Sequence, residues 1–467
     1  IFTFHMTLIK NISGFRGTIG DKNFENLTPL DIVISISAFS RLIKEKNSNL
    51  SSFTVMTGRD GRKSGKMIHS IVNSTFNSMG INVIDAGLST TPSICWGVLN
   101  NHSIGGLMIT ASHNPEEYNG LKFFNEDGEF LSREDVSKLI EYSESKNHIF
   151  SSNDFLGSIE KYETLIDDHV EAILNLKILP LKKIKKLNLS VTVDTINSGG
   201  SIAIPMLLDR LNIKYNIINP EIKGVFNHTP EPLPENLTDL SKSIQLNKSN
   251  FGIAVDPDVD RLVFFDENGV ILGEEYTQVF CSDFVLSKKK GNTVSTLSSS
   301  NALKDLTISY GQKYYSTPVG EMNVVKKMKE VDSIVGGEGG GGIIYPKLHY
   351  GRDALVGIAL FLALLVDKKC NVSELKSQYS EYYMKKIKIT LKDSNIIDKT
   401  FEVIAQNYSQ LSPNIEDGVR IDFKDAWVHM RKSNTEPIIR IFAEAKSQEI
   451  ADNYASKIEK EIKSISA

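Results

Sequence analysis

Three carboxylates at alternate positions form the most chemically pointed stretch of the chain: Asp256-Pro257-Asp258-Val259-Asp260-Arg261, between the apolar runs Gly252–Val255 and Leu262–Phe265. Like charges this close repel strongly unless a cation offsets them. Oxygen ligands with no histidine or cysteine nearby favour Mg2+ over zinc, and Mg2+ usually keeps part of its shell for water or phosphate oxygen. Arg261, directly adjoining, suits a phosphate contact. The loop is not an EF-hand, because neither the required glycine nor the distal glutamate follows Asp260. An acidic turn is the plainer alternative, and the strand-like runs on both sides weigh against it.

A second loop follows the β-like run Leu107–Thr110, as Thr110-Ala111-Ser112-His113-Asn114-Pro115, and continues to Lys122. Ser112 can carry a phosphoryl group, with His113 or Lys122 handling a proton. The same residue types also build polar turns. No Gly-x-Ser-x-Gly elbow surrounds this serine, so a Ser-His-Asp hydrolase is not indicated. A third loop, Arg431-Lys432-Ser433-Asn434-Thr435-Glu436-Pro437 with Arg440 shortly after, offers donors for phosphate oxygens from Arg431, Ser433, Asn434 and Thr435. The fourth is the run Gly336–Gly342, interrupted only by Glu338, which can accept from sugar hydroxyls while the glycines allow close approach. Its glycine order is wrong for a dinucleotide fingerprint. Arg352 and Asp353, at a helix start beyond it, are expected to support it. A structural glycine turn is the competing reading.

The elements that must position these loops repeat. Phe53–Thr57, a glycine-rich turn, a periodic helix and Ile81–Asp85 make one strand–helix–strand series; Leu189–Asp194 to Ile213–Ile218 makes a second, and Thr293–Leu297 to Lys313–Ser316 a third. This is the βαβ order that favours parallel sheets covered by helices. The last region has short strands at Val419–Phe423, Ala426–Met430 and Ile438–Ala443 and an amphipathic helix from Gln448 to Ile462, as in a small α+β domain. The expected division is 1–150 with the serine loop, 151–250, 251–372 with the acidic and glycine loops, and 373–467.

Length and composition agree with this plan: 467 residues, 40% hydrophobic and 24% charged, read as a folded multidomain chain. A net charge of -4 gives no general field for nucleic acid. The apolar run Val356–Val366 is too short to span a bilayer and reads as a buried helix. Three cysteines cannot build a disulfide framework, and no export signal is recognisable near the start, so a cytoplasmic location is expected, with no membrane partner. Protein partners and oligomeric state are not legible.

The four loops, in this order and spacing, together with Gly14-Phe15-Arg16-Gly17, resemble the α-D-phosphohexomutase family over essentially the whole chain. The resemblance implies three related α/β domains around a cleft plus a C-terminal domain. It implies a phosphoserine at Ser112 and Mg2+ held by Asp256, Asp258, Asp260 and that phosphoserine. Arg16 and Arg261 would steady the site, Lys122 and His113 would be the acid/base candidates, and Glu338 would hold sugar hydroxyls. Arg431, Ser433, Asn434 and Thr435 would hold the substrate's second phosphate, with Arg352 and Arg440 also expected on the substrate side. The substrate would be a hexose phosphate, and a hexose bisphosphate such as glucose bisphosphate the intermediate or activator. Gly340 and Asn434 stand where phosphoglucosamine mutases generally have serine and glycine, and Asn434 looks more like phosphomannomutase/phosphoglucomutase. Thr7–Ser13 and Val319–Val324 instead resemble the phosphoglucosamine branch. Glucosamine phosphate is therefore the first expectation and mannose or glucose phosphate the alternative, ahead of a metal-dependent sugar phosphatase.

Overall fold

The computed structural model describes residues 7–23, 25–145, 148–390, 396–432 and 438–465. The chain divides into two compact units, Ile1–Lys288 with Gly340–Leu375, and Lys289–Gly339 with Lys376–Ala467.

The first unit holds two sheets. Seven strands run in the order Ile9–Asn11, Gly14–Thr18, Tyr118–Phe124, Gly106–Ile109, Thr54–Arg59, Asn82–Leu88, Ile159–Lys161. At its centre Thr54–Arg59 pairs in parallel with both Asn82–Leu88 and Gly106–Ile109. The helices Pro29–Lys46 and Gly65–Ser78 press Ile36, Phe39, Val72 and Phe76 onto Val55, Leu107 and Ile109 in one buried cluster. The first of these helices starts at Thr28 with Pro29 in its first turn, and Thr28 and Asp31 satisfy each other's backbone N–H groups. The second sheet has the order Leu262–Phe265, Phe251–Val255, Ser190–Asp194, Lys214–Ile218.

All three expected βαβ units form. Their strand pairs are parallel, and the connecting helices are Gly65–Ser78, Gly200–Arg210 and Asn301–Ser309. The break expected near residue 250 falls inside a sheet instead. Phe251–Val255 lies parallel to Ser190–Asp194, so the acidic loop belongs with the segment before it. The polar stretch Lys248-Ser249-Asn250 is the left-handed turn closing helix Thr238–Asn247, not a linker. Ser249 is buried there against the Thr192 hydroxyl at 2.7 Å.

In the second unit Thr293–Thr296 pairs in parallel with Tyr314–Thr317 and Val335–Glu338. A separate antiparallel sheet has the order Tyr383–Thr390, Ile438–Ala445, Ala426–Lys432, Val419–Asp422. The helices Ile396–Asn407 and Gln448–Ile465 cover it through Phe401, Ile404, Ile458 and Ile462. Among the described residues no helix is long and apolar enough to cross a membrane.

Candidate active site

The serine loop is built by a salt bridge that the sequence reading passed over. Strand Thr54–Arg59 ends in Asp60-Gly61-Arg62, and both charged side chains are fully buried with Arg62 Nε 3.1 Å from Asp60 Oδ2. The Arg62 guanidinium then donates to four backbone carbonyls of the loop: Ser112 at 2.6 Å, Asn114 at 2.7 Å, Pro115 at 2.6 Å and Tyr118 at 2.9 Å. Thr110 donates to Asp60 at 2.8 Å and accepts from the Ser112 N–H at 2.8 Å. Ser112 is thereby held in the left-handed region, φ 49°. Non-glycine residues in that region are uncommon, and this one persists because its surroundings over-determine it.

The loop carries Ser112 to the acidic segment. Its Oγ donates to Asp256 Oδ2 at 2.6 Å, and both residues are buried. Asp256 Oδ1 accepts from the N–H groups of Asp260 and Arg261, each at 3.1 Å, which curls the segment back on itself. Val259, between the other two carboxylates, takes φ 64°, and its carbonyl is held by the Ala354 N–H at 3.2 Å. Lys122 Nζ bridges Asp258 Oδ2 at 2.6 Å and Asp260 Oδ2 at 2.7 Å. Thr91, at the start of helix Thr91–Asn100, donates its hydroxyl to Asp258 Oδ2 and its N–H to the Asp258 carbonyl.

Asp256, Asp258 and Asp260 are each 0% exposed, and one oxygen from each lies within 4.8 Å of the others. Asp258 Oδ1 and Asp260 Oδ1 are buried with no hydrogen-bond partner among the described residues. Orphaned carboxylate oxygens of this kind are costly, and an all-oxygen set fits a hard divalent cation. The electrostatics are uneven. Burial and the neighbouring Asp258 and Asp260 push the Asp256 carboxyl well up. For Asp260, burial is outweighed by Arg352, Lys122 and Arg261, which hold it far below the usual range. Burial also opposes the charge on Lys122, yet Asp258 and Asp260 raise it above an ordinary lysine.

The other expected residues divide by place. Arg16 donates to Asn114 Oδ1 at 3.4 Å and to the Ser13 carbonyl at 3.3 Å, while its buried Nε has no partner among the described residues. Arg261 likewise has a buried Nε without a partner among the described residues, and its Nη1 is 3.9 Å from Glu231. His113 Nδ1 is 3.4 Å from Ser112 Oγ, and burial with Arg261 and Arg16 nearby holds the imidazole neutral. Arg352, expected beside Glu338, reaches the acidic loop and donates to Asp260 Oδ2 at 2.8 Å. The glycine run is in part structural: Gly341 has φ 86°, and a side chain on Gly342 would collide with Arg352. Gly340 is different, because a Cβ there would meet only the Arg261 guanidinium, at 3.7 Å or more.

In the second unit Glu338 accepts from the Gly320 N–H at 3.0 Å, at the start of helix Glu321–Glu330. Arg431 and Arg440 are direct cross-strand neighbours. Arg431 is held by Asp417 at 2.8 Å, and the buried Nε of Arg440 has no partner among the described residues. Ser433, Asn434 and Thr435 lie outside the described residues. Asp60, Arg62 and Thr91 were missed by sequence reasoning. Two opposite charges one residue apart, just after a buried strand, were the available signal, since buried charges must be paired.

Matches to proteins already described agree along the whole length. The phosphoglucomutase/phosphomannomutase alpha/beta/alpha domains I, II and III match residues 8–149, 167–269 and 273–382, and the C-terminal domain of that family matches 384–461. A phosphoglucomutase/phosphomannomutase of Thermococcus kodakarensis is 35% identical over 445 residues, covering 94% of this chain and 96% of that protein. A phosphoglucosamine/phosphogalactosamine mutase of Sulfurisphaera tokodaii is 32% identical over 455 residues, covering 96% and 97%. In fold, the chain is similar to a phosphoglucomutase/phosphomannomutase family protein of Burkholderia thailandensis, with TM-score 0.83, 23% identity and coverage of 100% and 98%. The serine, acidic, glycine and arginine loops thus stand on the domain series of known sugar-phosphate mutases, and the chain belongs to the α-D-phosphohexomutase family, with the phosphohexomutase activity that membership carries.

Proposed function

We propose that this enzyme interconverts hexose 6-phosphates and 1-phosphates through a phosphoserine at Ser112, with glucosamine 6-phosphate to glucosamine 1-phosphate as its main reaction. The observation that carries the reading is the 2.6 Å contact between Ser112 Oγ and Asp256, which joins a strained, rigidly held serine to a buried carboxylate triad.

Asp256, Asp258 and Asp260 would hold Mg2+, with the Ser112 phosphoryl group completing the set. Bound there, the ion would offset charge as it spreads over the phosphoryl oxygens. The chain's own groups do the rest. Phosphorylated Ser112 gives its phosphoryl group to the free hydroxyl of the sugar phosphate, the P–Oγ bond breaking as the new P–O bond forms. Arg16 and Arg261, each with an unpartnered Nε, supply positive charge beside the transferring group. Lys122, kept charged by two carboxylates, fits proton donation and charge balance better than a base. His113, with Nδ1 3.4 Å from the serine oxygen, is the side chain placed to exchange a proton with Ser112. The bisphosphorylated sugar then turns so that its other phosphate faces Ser112, and return of that phosphoryl group releases the isomer.

Arg431 and Arg440 would bind the phosphate that is not transferring. Like charges directly opposite on a sheet are destabilising, and a bound dianion turns that cost into affinity. Glu338 would take the sugar hydroxyls. A phosphomannomutase/phosphoglucomutase preference is the second reading, favoured by the 35% identity to the Thermococcus kodakarensis enzyme of that name.

A comparative assay separates these readings. The phosphorylated enzyme is given glucosamine, mannose and glucose 1-phosphates, and each 6-phosphate and inorganic phosphate are followed. Fastest conversion of the glucosamine compound is expected. Conversion of none of the three sinks the mutase reading, and steady phosphate release without isomer indicates a phosphatase.

A further inference from the structure

Behind the acidic loop lies a second cluster that takes no part in the reaction above. Asp353, His169 and His349 are all buried, and both histidines place Nε2 on the same carboxylate oxygen, Asp353 Oδ2, at 3.1 and 3.3 Å. The other oxygen, Oδ1, accepts from the N–H groups of Leu355 at 2.8 Å and Val356 at 3.2 Å, capping helix Ala354–Lys368. The carboxylate is an acceptor only, so each imidazole must donate from Nε2. On the other side of the ring, His169 Nδ1 lies 3.0 Å from the Ser93 hydroxyl. Ser93 Oγ in turn lies 2.7 Å from the Thr90 hydroxyl. Thr90, Ser93, His169 and Asp353 thus form one continuous hydrogen-bonded chain.

Both ends of this chain touch residues that hold the acidic loop. At the Asp353 end, the preceding Arg352 binds Asp260 Oδ2 at 2.8 Å, and the following Ala354 N–H holds the carbonyl of left-handed Val259 at 3.2 Å. At the Thr90 end, the next residue, Thr91, binds Asp258 through its hydroxyl and its N–H. Two of the three carboxylates, and the strained residue between them, are thus fixed from one buried source. A fully connected polar network in a low-dielectric interior is rigid, and supporting contacts of this kind commonly orient metal ligands.

We infer that His169 and Asp353 are positioning residues for the cation site: they set the spacing of Asp258 and Asp260, and so the affinity for the divalent ion, without touching the ion or the sugar. The inference rests on the metal assignment made above for Asp256, Asp258 and Asp260.

The test uses Mn2+ as a spectroscopic stand-in, with free Mn2+ measured by electron paramagnetic resonance on the full-length protein. His169→Leu removes the donor to Asp353, while His169→Gln keeps an N–H at similar reach. Leucine is expected to weaken Mn2+ binding about tenfold, in line with the usual effect of losing an outer contact to a metal site, and glutamine to restore it to within about twofold. Should the leucine variant fail to fold, Ser93→Ala, one contact further out, is expected to weaken binding by a smaller factor with folding intact. The apparent KM for sugar phosphate at saturating Mg2+ stays unchanged in each. Unaltered Mn2+ affinity in a folded His169→Leu or Ser93→Ala protein overturns the inference and leaves the mutase reading standing. Absence of Mn2+ binding in the wild type overturns the metal assignment itself and this inference with it.

Discussion

At the scale of single residues, the site depends on Arg62 as much as on Ser112. Arg62 never faces a substrate in the scheme above, yet it fixes the loop through four carbonyls and neutralises buried Asp60. Arg62→Met leaves that carboxylate unpaired and is expected to cost about 3–5 kcal/mol in chemical denaturation. A loss below about 1 kcal/mol would show that the clamp carries little weight. The proposed preference for glucosamine phosphate can be probed at Gly340. A side chain there has room, so Gly340→Ser should fold normally and add a hydroxyl beside Arg261. One further neutral hydrogen bond, worth about 1 kcal/mol, would raise the preference for glucosamine over mannose phosphate about fivefold. An unchanged ratio of kcat/KM values for the two sugars would remove Gly340 from the specificity argument. Ser112, Lys122 and the three aspartates could be singled out in the sequence because their types and spacing are unusual in themselves. Arg62 carries only the faint signal of its pairing with Asp60, since its loop partners are backbone carbonyls fifty or more positions away, and carbonyls carry no sequence signature.

At the scale of elements, one feature responds to pH and another to ligand. In the segment linking strand Lys214–Ile218 to helix Thr238–Asn247, His228 sits between Asp194 Oδ2 at 3.0 Å and the Thr229 carbonyl at 2.8 Å. Both partners only accept, so the imidazole must be charged to make both contacts. Burial works against that charge, but Asp194 and the Thr229 carbonyl raise the pKa above its ordinary value. A raised folded-state value means the stabilisation is complete below about pH 6.5 and fades as pH climbs through the folded-state pKa. The stability gap between wild type and His228→Gln should therefore be widest near about pH 6 and narrow by about pH 9, as thermal melts would register. A gap that widens with pH would contradict this.

The paired Arg431 and Arg440 strands behave differently. Arg440→Met relieves a like-charge pair, so the ligand-free protein should melt no lower than wild type. The KM for sugar phosphate should rise about tenfold or more, as expected for a lost charge-assisted hydrogen bond. A lower melting temperature with an unchanged KM would make Arg440 structural. The βαβ series was legible because each unit is local, a strand, a helix and a return strand within about thirty residues. The join at residue 250 was not. Lys-Ser-Asn looks the same as a linker or as a helix-closing turn, and only the pairing of Phe251–Val255 with Ser190–Asp194, far off in sequence, decides between them.

At the scale of the whole molecule, the family domains cover nearly the full chain, and the loops carrying the chemistry are spread from Arg16 to Arg440. The sequence holds them in order but says nothing of how a serine at 112 meets carboxylates at 256 to 260. The two loops leave strands of different sheets, Gly106–Ile109 and Phe251–Val255, and they are joined by the contacts of Ser112 with Asp256 and of Lys122 and Thr91 with Asp258, while Arg62 ties the serine loop down. Every step assigned to the chain passes through Ser112, so the decisive measurement follows its phosphoryl group. Enzyme labelled with 32P at Ser112 is mixed with unlabelled glucosamine 6-phosphate and Mg2+ for a single turnover, and the label is traced to peptide, sugar and inorganic phosphate. The label should leave the Ser112 peptide, appear on a bisphosphorylated sugar and then on the isomer, while unlabelled phosphate takes its place on the serine. Label recovered as inorganic phosphate without isomer, or a Ser112→Ala protein that still converts the sugar at the wild-type rate, would contradict phosphoryl transfer through this residue.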